Sequence, residues 1–192
     1  ETADGRYTIV FNGEVYNFAD IREDLISLGY TFRSKTDTEV ILYAYQKWGK
    51  ACLKKLNGMF ALAIYDSKTR ELFLARDRIG IKPLYYYFKN GTFIFSSEAK
   101  AIFRTGVTSS LNVDALNVYF RMLYVPSPYT IWKDIYKVRP AHYLLVKDGL
   151  VTEECYWDFS GAPVLTDTET IKKEVRRLLL DSVRLQLISD RP

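Results

Sequence analysis

Histidine and cysteine are almost missing from this sequence, with one His and two Cys in 192 residues. A Ser-His-Asp or Cys-His catalytic set needs a histidine, and the single one, His142, lies in an alternating strand pattern where a structural role is the simpler reading. Cys52 sits in a Lys-rich helical stretch and Cys155 in a strand beside Tyr156. The two are far apart and form no Cys-x-x-Cys pair, which excludes a disulfide framework and a zinc site and suits buried thiols in a reducing cytoplasm. Phosphate-cradling loops are absent too, since there is neither a GxGxxG nor a Walker lysine motif, and no metal-ligand spacing occurs. No apolar run approaches the roughly 20 residues of a membrane span. The 27 basic and 23 acidic residues give a net charge of +4 without a block of one sign, which argues against a nucleic-acid partner.

What is present, 48% hydrophobic and 15% aromatic residues, suffices for one domain or one domain and part of a second. The sequence opens on Glu1-Thr2-Ala3 with no initiating Met and no signal-like segment, and it stops at Ser189-Asp190-Arg191-Pro192 just after an amphipathic helix. Both ends therefore read as interior points of a longer chain.

Tyr7–Phe11 predicts a buried strand leading into a polar Asn12-Gly13-Glu14 segment. A helix capped by Asn17, with Ile21, Leu25 and Leu28 on one face, should end at Gly29. Thr36-Asp37-Thr38-Glu39 has capping-box form and opens a second helix that stops at Gly49. Strands are expected at 59–66, 71–76, 83–88 and 92–96 as an antiparallel meander, with an Asn90-Gly91 turn rather than a glycosylated Asn. The run Met59–Tyr65 is apolar at successive positions, so one of its faces should meet a second sheet and the other helices, giving a layered α+β fold. Short helices at 97–103 and 113–123, the latter capped by Asn112, and a hairpin at 142–157 follow. Residues 158–167 read as a linker with the domain boundary at 160/161, and a helix at 168–188 carries a stripe of Ile171, Val175, Leu178, Leu179 and Val183.

One constellation could carry chemistry. The Asn12 side chain and the Gly13 N–H form a donor pair suited to a developing oxyanion, and Glu14 with Asp37 could hold an ammonium group. Equally, Asn12-Gly13 reads as a turn and Asp37 as part of a helix cap, and spacing alone does not choose between the two.

At these residues the sequence resembles the glutamine-hydrolysing asparagine synthetases, whose amino-terminal half is a class II glutamine amidotransferase domain. The segments that carry the likeness are FNGEVYN (11–17), TDTEVIL (36–42), LNGMFALAIYD (56–66), LARDRIGIKPLYY (74–86) and FSSEAKAI (95–102). The resemblance implies a four-layer α/β/β/α sandwich of the amino-terminal-nucleophile hydrolase type, incomplete at its amino terminus. It implies a glutaminase domain at 1–160, then the linker and first helix of a synthetase domain at 161–192. An amino-terminal Cys would attack the glutamine amide, with its own α-amine as base. Asn12 and Gly13 would form the oxyanion hole, and Glu14 and Asp37 would bind the substrate α-amino group.

The family's nucleophilic Cys and the Arg that holds the glutamine carboxylate have no counterpart before Glu1, so these residues alone should neither hydrolyse glutamine nor bind it usefully. No cofactor is expected in this fragment, while ATP and Mg, with aspartate as acceptor, would serve the synthetase part in the cytoplasm. The stripe on the last helix should be a solubility liability or a homodimer contact. Thr36 stands where relatives often have Ser and caps equally well. Pro140-Ala141 replaces a common Pro-Gly and puts Ala where a positive φ is expected. Arg76, Asp77 and Arg78 should pair with one another across a turn bent at Gly80. Two alternatives remain: an amidotransferase of the same family with another acceptor, or a short non-catalytic binding module.

Overall fold

The computed structural model describes residues 1–159, 161, 164 and 166–187. Its elements are β1 (Tyr7–Val15), α1 (Phe18–Ser27), α2 (Asp37–Trp48), a 3-10 helix (Gly49–Lys54), β2 (Gly58–Asp66), β3 (Glu71–Arg76), β4 (Tyr85–Lys89), β5 (Thr92–Ser96), α3 (Ala99–Phe103), α4 (Val113–Met122), β6 (Ile135–Lys137), β7 (His142–Lys147), β8 (Leu150–Cys155) and α5 (Thr168–Gln186). Five strands form one sheet in the order β1-β2-β3-β7-β8, and three form another in the order β5-β4-β6. All pairings are antiparallel.

Strand alternation sorts the apolar residues into three cores and so into four layers. Phe60, Leu62 and Ile64 of β2, with Phe73, Ala75 and Tyr143, pack under α1 and α2. Their neighbours Ala61, Ala63, Leu74 and Leu144 face the other way and meet Leu84 and, from the second sheet, Tyr86, Phe93 and Phe95. Behind that sheet, Tyr87 and Ile135 close on Ile102 of α3. The layered α+β fold expected from the doubly apolar β2, and the α/β/β/α order that the family resemblance implied, are therefore what the chain builds.

The single meander is not. β3 turns away from β4 and pairs with β7, so the segment after Arg76 crosses to the second sheet. Hairpin signals are local, whereas the neighbour of β3 lies some seventy residues on and has no local signature. The turns themselves are as expected: Asn90 and Gly91 take φ 50° and 74°, and Asp148 and Gly149 take 49° and 74°. β6 and the 3-10 helix were not anticipated.

Three smaller expectations change. Asn17 does not cap α1; its amide instead donates to Lys55 O and accepts from Asn57 N, tying the start of α1 to the approach to β2. Leu28 is 49% exposed, because α1 ends before it. The capping box at α2 is half formed: Thr36 accepts from the Glu39 N–H, but the Glu39 carboxylate turns to the N–H groups of Arg33 and Ser34. No α5 residue is buried, and Val175, Leu178, Leu179 and Val183 lie on its surface. Ser160, Ala162, Pro163 and Leu165 of the linker, and Ile188 at the expected helix end, lie outside the described residues. Among the described residues no helix is long and apolar enough to cross a membrane.

Candidate active site

The strand was expected to run to Phe11 and into a functional or turn segment at Asn12, but β1 continues to Val15 as an edge strand, with Asn12 opposite Ala61, Gly13 opposite Phe60 and Glu14 opposite Met59. The extension depends on two glycines. A Cβ on Gly13 would lie 2.2 Å from Met59 O, and one on Gly58 would lie 2.2 Å from Glu14 O. The two backbones therefore approach too closely for any side chain at either position.

The bonds of Asp77 show which way the β1 peptide groups face. Its N–H donates to Phe60 O, and its carboxylate accepts from Phe60 N, so both peptide groups of Phe60 are engaged on the β3 side. In an antiparallel ladder a residue's N–H and C=O share one side, and the sides alternate along the strand. Gly13, opposite Phe60, consequently directs its N–H away from β2 toward the unpaired edge. Val15 is in the same phase, and its N–H is taken at that edge by Asp37 Oδ2 at 3.0 Å.

Asp77 itself is 1% exposed and also accepts from the N–H groups of Ile79, Gly80, Ile81 and Lys82 at 2.7–3.2 Å. Arg76 does the complementary work, donating to Lys82 O, Val138 O and Gly80 O at 2.7–2.8 Å. These two residues do not pair with each other as expected; each is spent on loop backbone, and Arg78 donates to Lys54 O. Ala141 does take φ 58°, and its N–H donates to Asp77 O.

The four residues singled out from sequence gather at this edge of β1. Asn12 is half-buried and lines a cavity of about 440 Å³ between the two sheets, with Phe11, Ala61, Phe95, Ser97 and Glu98. Its Nδ2 donates to Ser97 Oγ at 3.1 Å across 85 residues of sequence. Asp37, half-buried at the start of α2, is held at the backbone next to Glu14 through the Val15 N–H and by Thr38 Oγ1. Glu14 lies two residues from Tyr16, whose hydroxyl is raised above its ordinary value by burial and then by the Glu14 charge. Sequence reasoning missed Ser97 as part of this site. Its only trace was its place in the FSSEAKAI segment.

The remaining reactive side chains are elsewhere. Cys52 is 1% exposed, and burial pushes its thiol up to about 12. Cys155, expected to be buried, is exposed on β8, at the opposite edge of the sheet from β1. His142 has Nδ1 2.7 Å from Pro140 O.

Residues 1–157 match the family profile described as the glutamine amidotransferase domain. The chain belongs to that family. This glutamine amidotransferase domain is 36% identical over 189 residues to the putative glutamine-hydrolysing asparagine synthetase 2 of Methanocaldococcus jannaschii, covering 96% of this chain and 36% of that protein. It is 38% identical over 190 residues to asparagine synthetase 1 (glutamine-hydrolysing) of Bacillus subtilis, covering 98% of this chain and 30% of that protein. The domain thus spans about a third of the length of these curated relatives. Among solved structures, the glutamine phosphoribosylpyrophosphate amidotransferase of B. subtilis complexed with ADP and GMP superposes with a TM-score of 0.59 at 21% identity. That match covers 82% of this chain and 30% of the other, and it is a likeness of fold.

Proposed function

We propose that this domain releases ammonia from the side-chain amide of glutamine, and that in the full-length protein a synthetase part uses ATP and Mg to amidate aspartate with it. The observation that carries the reading is the edge of β1, where the Asn12 amide and the outward Gly13 N–H lie beside an acid-lined strand end. In this reading a thiolate attacks the amide carbon. The resulting oxyanion is held by Asn12 Nδ2–H and Gly13 N–H, ammonia leaves, and water then cleaves the thioester to glutamate. Glu14 and Asp37 receive the substrate ammonium, for which two carboxylates are the matched charge.

Neither Cys52 nor Cys155 serves as the nucleophile here; the thiol comes from outside these 192 residues, which by themselves are expected to release no ammonia above a no-protein control. Residues 1–160 make up the glutaminase unit, and α5 is the first helix of the synthetase part, its apolar stripe covered there or in a homodimer. Relatives named as glutamine-hydrolysing asparagine synthetases support aspartate as acceptor.

The test is glutamine-dependent ammonia release by the full-length protein and its Asn12→Ala variant. Removing one oxyanion donor should lower kcat by about 100-fold or more. An Asn12→Ala enzyme with unchanged kcat would overturn the reading.

A further inference from the structure

Resting on that reading, we infer that Ser97 is a positioning residue for Asn12. An asparagine carboxamide offers donors on one end and an acceptor on the other, so its use as an oxyanion donor depends on which end faces the reacting carbonyl. Asn12 projects into a cavity whose walls are mostly apolar: Val10, Phe11, Ala61, Ala63, Leu84 and Phe95. In such surroundings a carboxamide needs a defined partner, and Ser97 Oγ, 3.1 Å from Nδ2, is that partner. One N–H of Nδ2 is engaged by Ser97, and the second, which has no partner among the described residues, is the one that would meet a ligand.

Ser97 is well fixed for this task. It joins β5 to α3, and both flanks are anchored: Ser96 Oγ accepts the Glu98 N–H, and Ile102 of α3 is fully buried. Phe95 and Ile94 pack on opposite faces of the second sheet. The hydroxyl therefore belongs to the second sheet, while the side chain it holds belongs to the first. The hydrogen bond sets the amide across the gap between the two sheets, a positioning that β1 alone, as an edge strand, does not provide.

The experiment measures glutamine hydrolysis by the full-length protein carrying Ser97→Ala, Ser97→Thr or Asn12→Ala, together with thermal melting of each. Ser97→Ala should lower kcat by about tenfold, the worth of one hydrogen bond, with KM for glutamine within about twofold of the parent. Ser97→Thr, which keeps the hydroxyl, should return most of the lost kcat, and melting should be unchanged in both. A Ser97→Ala enzyme with parental kcat, a rise in KM alone, or a loss of rate that Thr does not restore would each overturn the positioning role. If Asn12→Ala is slow while Ser97→Ala is not, only this inference falls. If Asn12→Ala keeps parental kcat, the oxyanion reading falls with it.

Discussion

The loop 77–82 and the free edge of β1 are each organised by a carboxylate that receives backbone N–H groups, but to opposite ends. Asp77 accepts from five of them, while Arg76 donates to three carbonyls, so that the peptide groups of the loop are largely spoken for inside the protein. Asp37 takes the single N–H of Val15, and the neighbouring outward group of the same strand, that of Gly13, is left facing the edge. Burying a polar group is tolerable only when it is paired, which explains the density of bonds around Asp77 at 1% exposure. A binding site needs the reverse, donors held in place but not used up. The two regions meet at Phe60, whose N–H and C=O are bonded to Asp77 on one side while Gly13 lies opposite it on the other.

Breaking the saturated region should have the largest effect. Asp77→Ala leaves the buried Phe60 N–H and the part-buried N–H groups of the loop without their acceptor and is expected to cost about 4 kcal/mol in urea denaturation. It should also loosen the strand behind the active edge, since the Phe60 N–H opposite Gly13 loses its acceptor. Next is Gly13→Ala, whose methyl has no room against Met59 O; separating β1 from β2 should cost about 2 kcal/mol in the same measurement. Ala141→Gly works in the other direction. Relief of the left-handed backbone at Ala141, less the added chain entropy of glycine, should stabilise the protein by roughly 0.5 kcal/mol.

The smallest effect lies at the far end of β1, where the Arg6 guanidinium donates to Asp66 through Nε and Nη2 at 3.0 and 2.7 Å. That bond, with the Lys68 and Thr69 N–H groups, holds the Asp66 carboxyl well below its ordinary 3.8. A carboxylate held low in the folded state contributes stability that is complete above its unfolded value and is lost as pH falls through the folded one. The urea midpoint of Arg6→Ala should therefore lie below the parent's at neutral pH, and the gap should hold down to about pH 4 and narrow progressively below it. A gap independent of pH would mean that Arg6 acts through its packing on Tyr7 rather than through charge.

Much of the architecture was readable from short-range patterns. The doubly apolar Met59–Tyr65 run announced a sheet covered on both faces, and Asn90-Gly91 and Asp148-Gly149 announced their hairpins, because alternation and turn chemistry act over a few residues. Thr36 was legible as a cap for the same reason. The pairing of β3 with β7, the length of β1 and the tie from Asn17 to Asn57 were not, since each depends on a partner far along the chain.

Asn12, Gly13, Glu14 and Asp37 were named from the sequence as residue types with suitable chemistry, and the sequence by itself determined that these groups exist and that Asp37 opens a helix. Only the tertiary structure decided that Asn12 and Gly13 lie on a strand edge rather than in a turn, and that Asp37 reaches the Val15 N–H. It also decided that Ser97, 85 residues away, holds the Asn12 amide. Donor direction is a property of strand pairing and of contacts between sheets, and no local pattern in the chain encodes either.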